Sequence, residues 1–229
     1  VPYNVNHEVV RTFMFNPSSD PEKEIYNIAA KWAGPAHADT LLNVWKLTEK
    51  AILGFPNITS LYSCIGFTWY RLWSRPFVPD IEAIPQEERN YYEEFMCTTP
   101  HNPNNVDLGR DVLFCIVPVE KATKDVVRID ENVWKYIDEA IEILEKAECE
   151  DCPDIIHDQL VRIKALRCWI MTNRNVAAWV SGVHGFLSTE NEIARENHRA
   201  SIRSLMELEI ENSFMLIDLF DDDVEFMAL

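Results

Sequence analysis

Glycine is scarce in this chain, at 6 of 229 residues. A β-sandwich turns often and draws on glycine for its positive-φ positions, so the scarcity argues against a turn-rich β fold. Long apolar runs are missing too. With no stretch of about eighteen or more apolar residues, no transmembrane helix is expected. Basic residues fall well short of acidic ones, 21 against 38, for a formal charge of −17. Such a surface repels phosphate backbones and anionic lipid, so neither nucleic acid nor membrane is an expected partner. Gly-x-Ser-x-Gly, a Walker loop, a dinucleotide fingerprint and HExxH are all absent, which removes the commonest local signatures of hydrolases, nucleotide binders and zincins. A second CxxC pair is missing as well. Cys149-Glu150-Asp151-Cys152 stands alone, whereas a four-ligand zinc site needs another pair at matching spacing. No metal and no cofactor is therefore expected. The CxxC reads either as two cysteines at a helix–helix turn or as a local disulfide or redox pair.

What is present points to helices. Seven Trp, 7 Tyr and 11 Phe stand in a chain that is 47% hydrophobic and 26% charged, a globular composition able to bury a core. Cys115 and Cys168 lie in apolar runs and read as buried thiols. That usage favours a reducing, cytoplasmic setting; a signal peptide upstream of Val1 is the alternative. The sequence opens Val1-Pro2-Tyr3 without an initiator Met, and the expectation is that a longer polypeptide precedes it.

Periodicity and punctuation divide residues 1–229, read as one helical domain, into four stretches. Residues 1–56 form a helical hairpin after an irregular or short-helical lead-in over 1–20. Asp20-Pro21-Glu22 supplies a capping side chain, a proline at the first helical position and an acid in the first turn; Gly34-Pro35 stops this helix. A second helix begins near Ala36, shows Leu41, Val44, Trp45, Ala51 and Ile52 on one face, and ends at Gly54-Phe55-Pro56. Residues 57–118 are rich in proline and aromatics. They read as a long ordered loop with one short helix at 85–95, and a loop of this length inside a compact domain is usually functional. Residues 119–220 form an antiparallel bundle of three long helices. The first bears Val133, Ile137, Ala140, Ile141, Leu144 and Ala147; the second opens at Pro153 and fades at Gly182 and Gly185; the third is capped by Ser188 or Thr189, with Glu192 three residues on. Residues 221–229 are an acidic tail. The fold class expected is all-α.

Candidate chemistry concentrates in the middle stretch. Trp69, Tyr70, Arg71, Trp73 and Arg75 alternate rings with guanidinium groups, which can stack on sugar faces and bond hydroxyls or a carboxylate. The same rings serve equally as filling between hairpin and bundle. His101, Asn102 and Asn104 form a dense polar cluster on a loop, where asparagine also satisfies turn backbone. Asp80 and Glu82 follow Pro79 and are the acid pair to test first. In the bundle, Arg167 and Arg174 share a helix face near Asn173 and Asn175, while Glu209 and Asn212 interrupt the next apolar stripe. A buried Arg–Glu or Arg–Asn network across those helices is expected, because buried charge must be paired.

The run Asn6-His7-Glu8-Val9-Val10-Arg11-Thr12-Phe13-Met14-Phe15-Asn16-Pro17, then Asp20-Pro21 and a helix ending Trp32-Ala33-Gly34, resembles the stretch that follows the catalytic barrel in large glycoside hydrolases of α-glucuronidase-like and hexosaminidase-like type. Arg174-Asn175-Val176-Ala177-Ala178-Trp179, ending in Gly182-Val183-His184-Gly185, is similar to the C-terminal helical region of the same broad bacterial group. The resemblance implies that the catalytic acids sit on an upstream (β/α)₈ barrel, at the C-terminal ends of its strands. It implies a non-catalytic module that braces this barrel, its partner in the same polypeptide, and lends a wall to a carbohydrate cleft. No catalytic residue of the family maps onto a position of this chain. Two other readings stand beside it: a self-sufficient hydrolase using Asp80, Glu82 or His101, and an interaction bundle that forms a homodimer.

Overall fold

The computed structural model describes residues 3–56, 85–87 and 119–222. Among them are seven α-helices and no strand: α1 (Val5–Phe15), α2 (Pro21–Ala33), α3 (Ala38–Gly54), α4 (Val119–Asn132), α5 (Trp134–Ala147), α6 (Asp154–Ser188) and α7 (Glu192–Asp222). The fold is all-α, as the composition and periodicity indicate. Of the middle stretch only 85–87 is described, with Gln86 and Glu87 helical; the expected loop and the remainder of the 85–95 helix lie outside the described residues.

Two compact units account for the chain. The first draws on stretches within 1–55, 130–170 and 211–229, the second on stretches within 56–129 and 171–210, so α4, α6 and α7 each contribute to both.

Local chemistry explains the helix starts of the first unit. The expected lead-in over 1–20 contains a true helix, α1, whose cap is Asn4: its side chain accepts from the His7 N–H at 3.0 Å. Asp20 Oδ1 accepts from the N–H groups of Glu22 and Lys23 at 2.9 and 3.2 Å, opening α2 ahead of Pro21. Gly34 ends α2 with φ +74°, a backbone region glycine enters without penalty. Helix α2 buries Ile28, Ala29 and Ala33, and α3 buries Ala38, Leu41, Val44, Leu47 and Ala51, a stripe at three- and four-residue spacing. The hairpin is not a free-standing piece. Helix α3 packs on α2 and, more extensively, on α5, whose Ile137, Ala140 and Leu144 are buried. Trp32 meets Trp45 edge to face at 6.2 Å, and the Trp45 indole donates to Gln159 Oε1 at 3.0 Å. Full burial of side chains the size of Leu41, Ile137 and Leu144 contributes roughly 1.5–3 kcal/mol each.

Helices α4 and α5 are separated only at Val133, which holds φ −112° and ψ −53°. Tyr136 N–H reaches back to the Val133 carbonyl at 3.1 Å and restarts the ladder. The bundle therefore has one more helix than the three expected, divided from the next without a glycine or proline.

In the second unit, the glycines read as the fading end of α6 lie inside it, and the helix continues to Ser188. A Cβ on Gly182 would stand 3.1 Å from Ile202 Cγ1, and one on Gly185 would fall 2.3 Å from the His198 ring. Helix α7 approaches closely at both positions, and α6 does not stop at either. Helix α7 is capped by Asn191, whose Oδ1 accepts from the Ala194 N–H at 3.0 Å; Thr189 plays the subsidiary part of accepting from the Asn191 N–H at 3.3 Å. Asp125, buried on α4, is held by Lys121 Nζ at 2.6 Å. Phe186 is buried beneath the guanidinium groups of Arg195 and Arg199, 4.9 and 5.5 Å from its ring centre.

Candidate functional site

The side chains singled out for substrate binding, Trp69, Tyr70, Arg71, Trp73, Arg75, His101, Asn102 and Asn104, lie outside the described residues, as do Asp80 and Glu82. The polar chemistry that the structure does place belongs to the bundle helices, in two separate sets.

The first set lies in the second unit, where Glu209 of α7 accepts from Thr172 Oγ1 at 2.5 Å and from Asn175 Nδ2 at 2.8 Å. Two neutral donors on α6 thus hold one carboxylate in a partly buried setting, each hydrogen bond to the charged group contributing about 1.5–3 kcal/mol. The expected network is there in altered form. Arg174 donates to its neighbour Asn175 at 3.5 Å, and Arg167 Nε pairs with Asp138 Oδ1 at 2.8 Å on the preceding helix rather than the following one. The physical reason is helical geometry. Thr172 and Asn175 stand three apart on the side of α6 that meets Glu209, while Arg167 stands on the side that meets Asp138 of α5. His184 lies on α6 in this unit, and burial pushes its imidazole below the usual histidine range.

The second set is a groove in the first unit, about 460 Å³, bounded by α5, α6 and the last turns of α7. Ile141, Cys168, Met215 and Leu219 supply its apolar lining. Asn212, 2% exposed on α7, donates from Nδ2 to the Cys168 carbonyl at 3.0 Å and ties α7 to α6 beside it. Around the rim, Lys164 pairs with Glu145 at 2.8 Å and Arg167 with Asp138, while the Arg167 guanidinium also sits 5.4 Å from the Trp134 ring. Glu142 bonds Lys146 at 2.5 Å, and that ammonium holds its carboxyl below the ordinary carboxylate range. Among the described residues, the lining cations Lys164 and Arg167 each pair with an acid, and the lining acids Asp138, Glu142, Glu145 and Asp218 outnumber them. Such a surface offers hydrogen-bond acceptors and packing.

Sequence reading missed this groove. Its acids fall on the solvent side of amphipathic helices, where a carboxylate reads as ordinary surface, and only the packing of three helices gathers them. No family model, no curated protein and no solved structure matches this chain.

Proposed function

We propose that this chain is a non-catalytic helical module of a glycoside hydrolase, bracing a catalytic barrel of the same polypeptide. The observation that carries the reading is the edge presented by α1. This helix holds no buried residue, and Val10, Met14 and Phe15 are 56, 77 and 86% exposed. Val10 and Met14 stand four apart, on one helix face. Water is a poor neighbour for that face, and a domain on the N-terminal side of α1 would cover it. These residues belong to the run that resembles the segment following the barrel in such enzymes. Helix α1 packs on α2, where Glu8 lies 3.9 Å from Lys31, and Tyr3, just ahead of α1, meets Trp32 edge to face at 5.7 Å. A helix packed on α2 with an apolar outer edge suits a brace.

The coding sequence upstream of Val1 tests the proposal. It is expected to encode alternating strands and helices of a (β/α)₈ barrel carrying paired carboxylates at strand ends. A reading frame whose initiator Met directly precedes Val1 would end it.

A second reading, a bundle that pairs with another copy of itself, is favoured by one observation: Phe214, Met215 and Ile217 are exposed on the last turns of α7. Light scattering that finds only monomer at high concentration would remove it.

A further inference from the structure

Between α5 and α6 the chain turns through Cys149-Glu150-Asp151-Cys152, and both thiols are free. The Cys152 N–H donates to the Cys149 carbonyl at 3.1 Å, so the two cysteines occupy the ends of a hydrogen-bonded four-residue turn. The ends of such a turn have Cα atoms within about 7 Å of each other, and a disulfide spans roughly 4.4–6.8 Å between Cα atoms. The turn is anchored on both sides. The Glu148 N–H closes α5 on the Leu144 carbonyl at 2.9 Å, Ile156 N–H donates to the Pro153 carbonyl at 2.9 Å, and His157 Nδ1 lies 2.7 Å from Glu148 Oε1 across its base. Access differs along the chain: Cys149 is exposed, Cys152 half-buried and Cys168 buried.

We propose that Cys149 and Cys152 form a thiol–disulfide exchange site, which takes small disulfides of cationic character and closes to an intramolecular bond. The exposed Cys149 thiolate attacks one sulfur of the small disulfide, forming a mixed disulfide and releasing one small thiolate, which takes up the proton Cys149 gave. The Cys152 thiolate then attacks Cys149 Sγ, expelling the second small thiol with the proton from Cys152. Two protein thiols are oxidised to one disulfide, and one small disulfide is reduced to two thiols. The helices need not move, because the reacting pair sits at the two ends of one turn. The cationic preference follows from Glu148, Glu150, Asp151 and Asp154, exposed acids that surround the pair and raise the local concentration of cations over anions.

Trypsin isolates the site cleanly, since residues 147–162 hold Cys149 and Cys152 and no other cysteine. The reduced chain is exposed to cystamine or to glutathione disulfide, quenched with acid, alkylated and digested. The expected product is a 147–162 peptide that has lost two hydrogens and resists alkylation, while Cys168 is alkylated only after unfolding. Cystamine should react faster than glutathione disulfide by about tenfold at low salt, with the ratio shrinking in high salt. In Cys152→Ser the reaction should stop at a cysteamine adduct on Cys149, with unchanged circular dichroism. Adducts on both cysteines of the wild-type peptide, or both thiols recovered alkylated, would overturn the site; equal rates with the two disulfides at low salt would overturn its preference.

Discussion

Histidine 184 illustrates how a single side chain makes stability depend on pH. Burial disfavours its charged form, so its folded-state pKa lies below the unfolded value of about 6.5. In the window between those values the unfolded chain binds more protons than the folded one, and stability rises with pH there. The contribution is complete above the unfolded pKa and is lost as pH falls through the folded one. Urea midpoints of wild type and His184→Gln, compared from pH 8 to pH 5, should therefore converge as the solution becomes acidic, because only the wild type loses stability through this group. A constant difference across the range would place the imidazole in water-like surroundings. The neighbouring glycines hint at this position in the sequence, but they carry no information on its burial. The same holds for Glu209: its interruption of an apolar stripe was legible, whereas its donors, Thr172 and Asn175, emerge only when the helices are set against each other.

Close approach governs the elements, and glycine is where it shows. A Cβ on Gly54 would lie 2.8 Å from the Asn132 carbonyl oxygen, a backbone atom at the end of α4 that cannot swing aside. A Cβ on Gly185 would meet the His198 ring, a half-buried side chain that can rotate, and alanine also favours the helix by about 1 kcal/mol. Gly54→Ala should therefore cost about 1–3 kcal/mol, and Gly185→Ala should stay within about 1 kcal/mol of wild type. Chemical denaturation of the two variants checks the order, and a larger loss in Gly185→Ala would contradict it. Elements were legible wherever punctuation and periodicity agreed. Asp20-Pro21 and Gly34 frame α2, Gly54 closes α3, and the stripe from Val133 to Leu144 is the buried face of α5. Reading failed where one residue type serves two purposes. Gly182 and Gly185 look like a stop and are contact points, while Val133 breaks a helix without any breaking residue. Asn191 caps α7 although Ser188 and Thr189 precede it with equally suitable side chains.

For the whole molecule, charge and exposed apolar surface set the terms. A formal charge of −17 favours solubility and repels polyanions, yet α1 turns Val10, Met14 and Phe15 outward. The proposed brace would leave the acidic body in water and cover that edge with another domain. The groove bounded by α5, α6 and α7 adds acceptors and apolar lining, its described cations Lys164 and Arg167 are paired with acids, and nothing in its composition stands out in the linear sequence. The most direct measurement is turnover of aryl-glycosides by purified residues 1–229, alongside the longer polypeptide that the proposed function requires. The account predicts activity in the longer polypeptide and none in residues 1–229 alone. Turnover by residues 1–229 that disappears in Asp80→Asn or His101→Ala would contradict it.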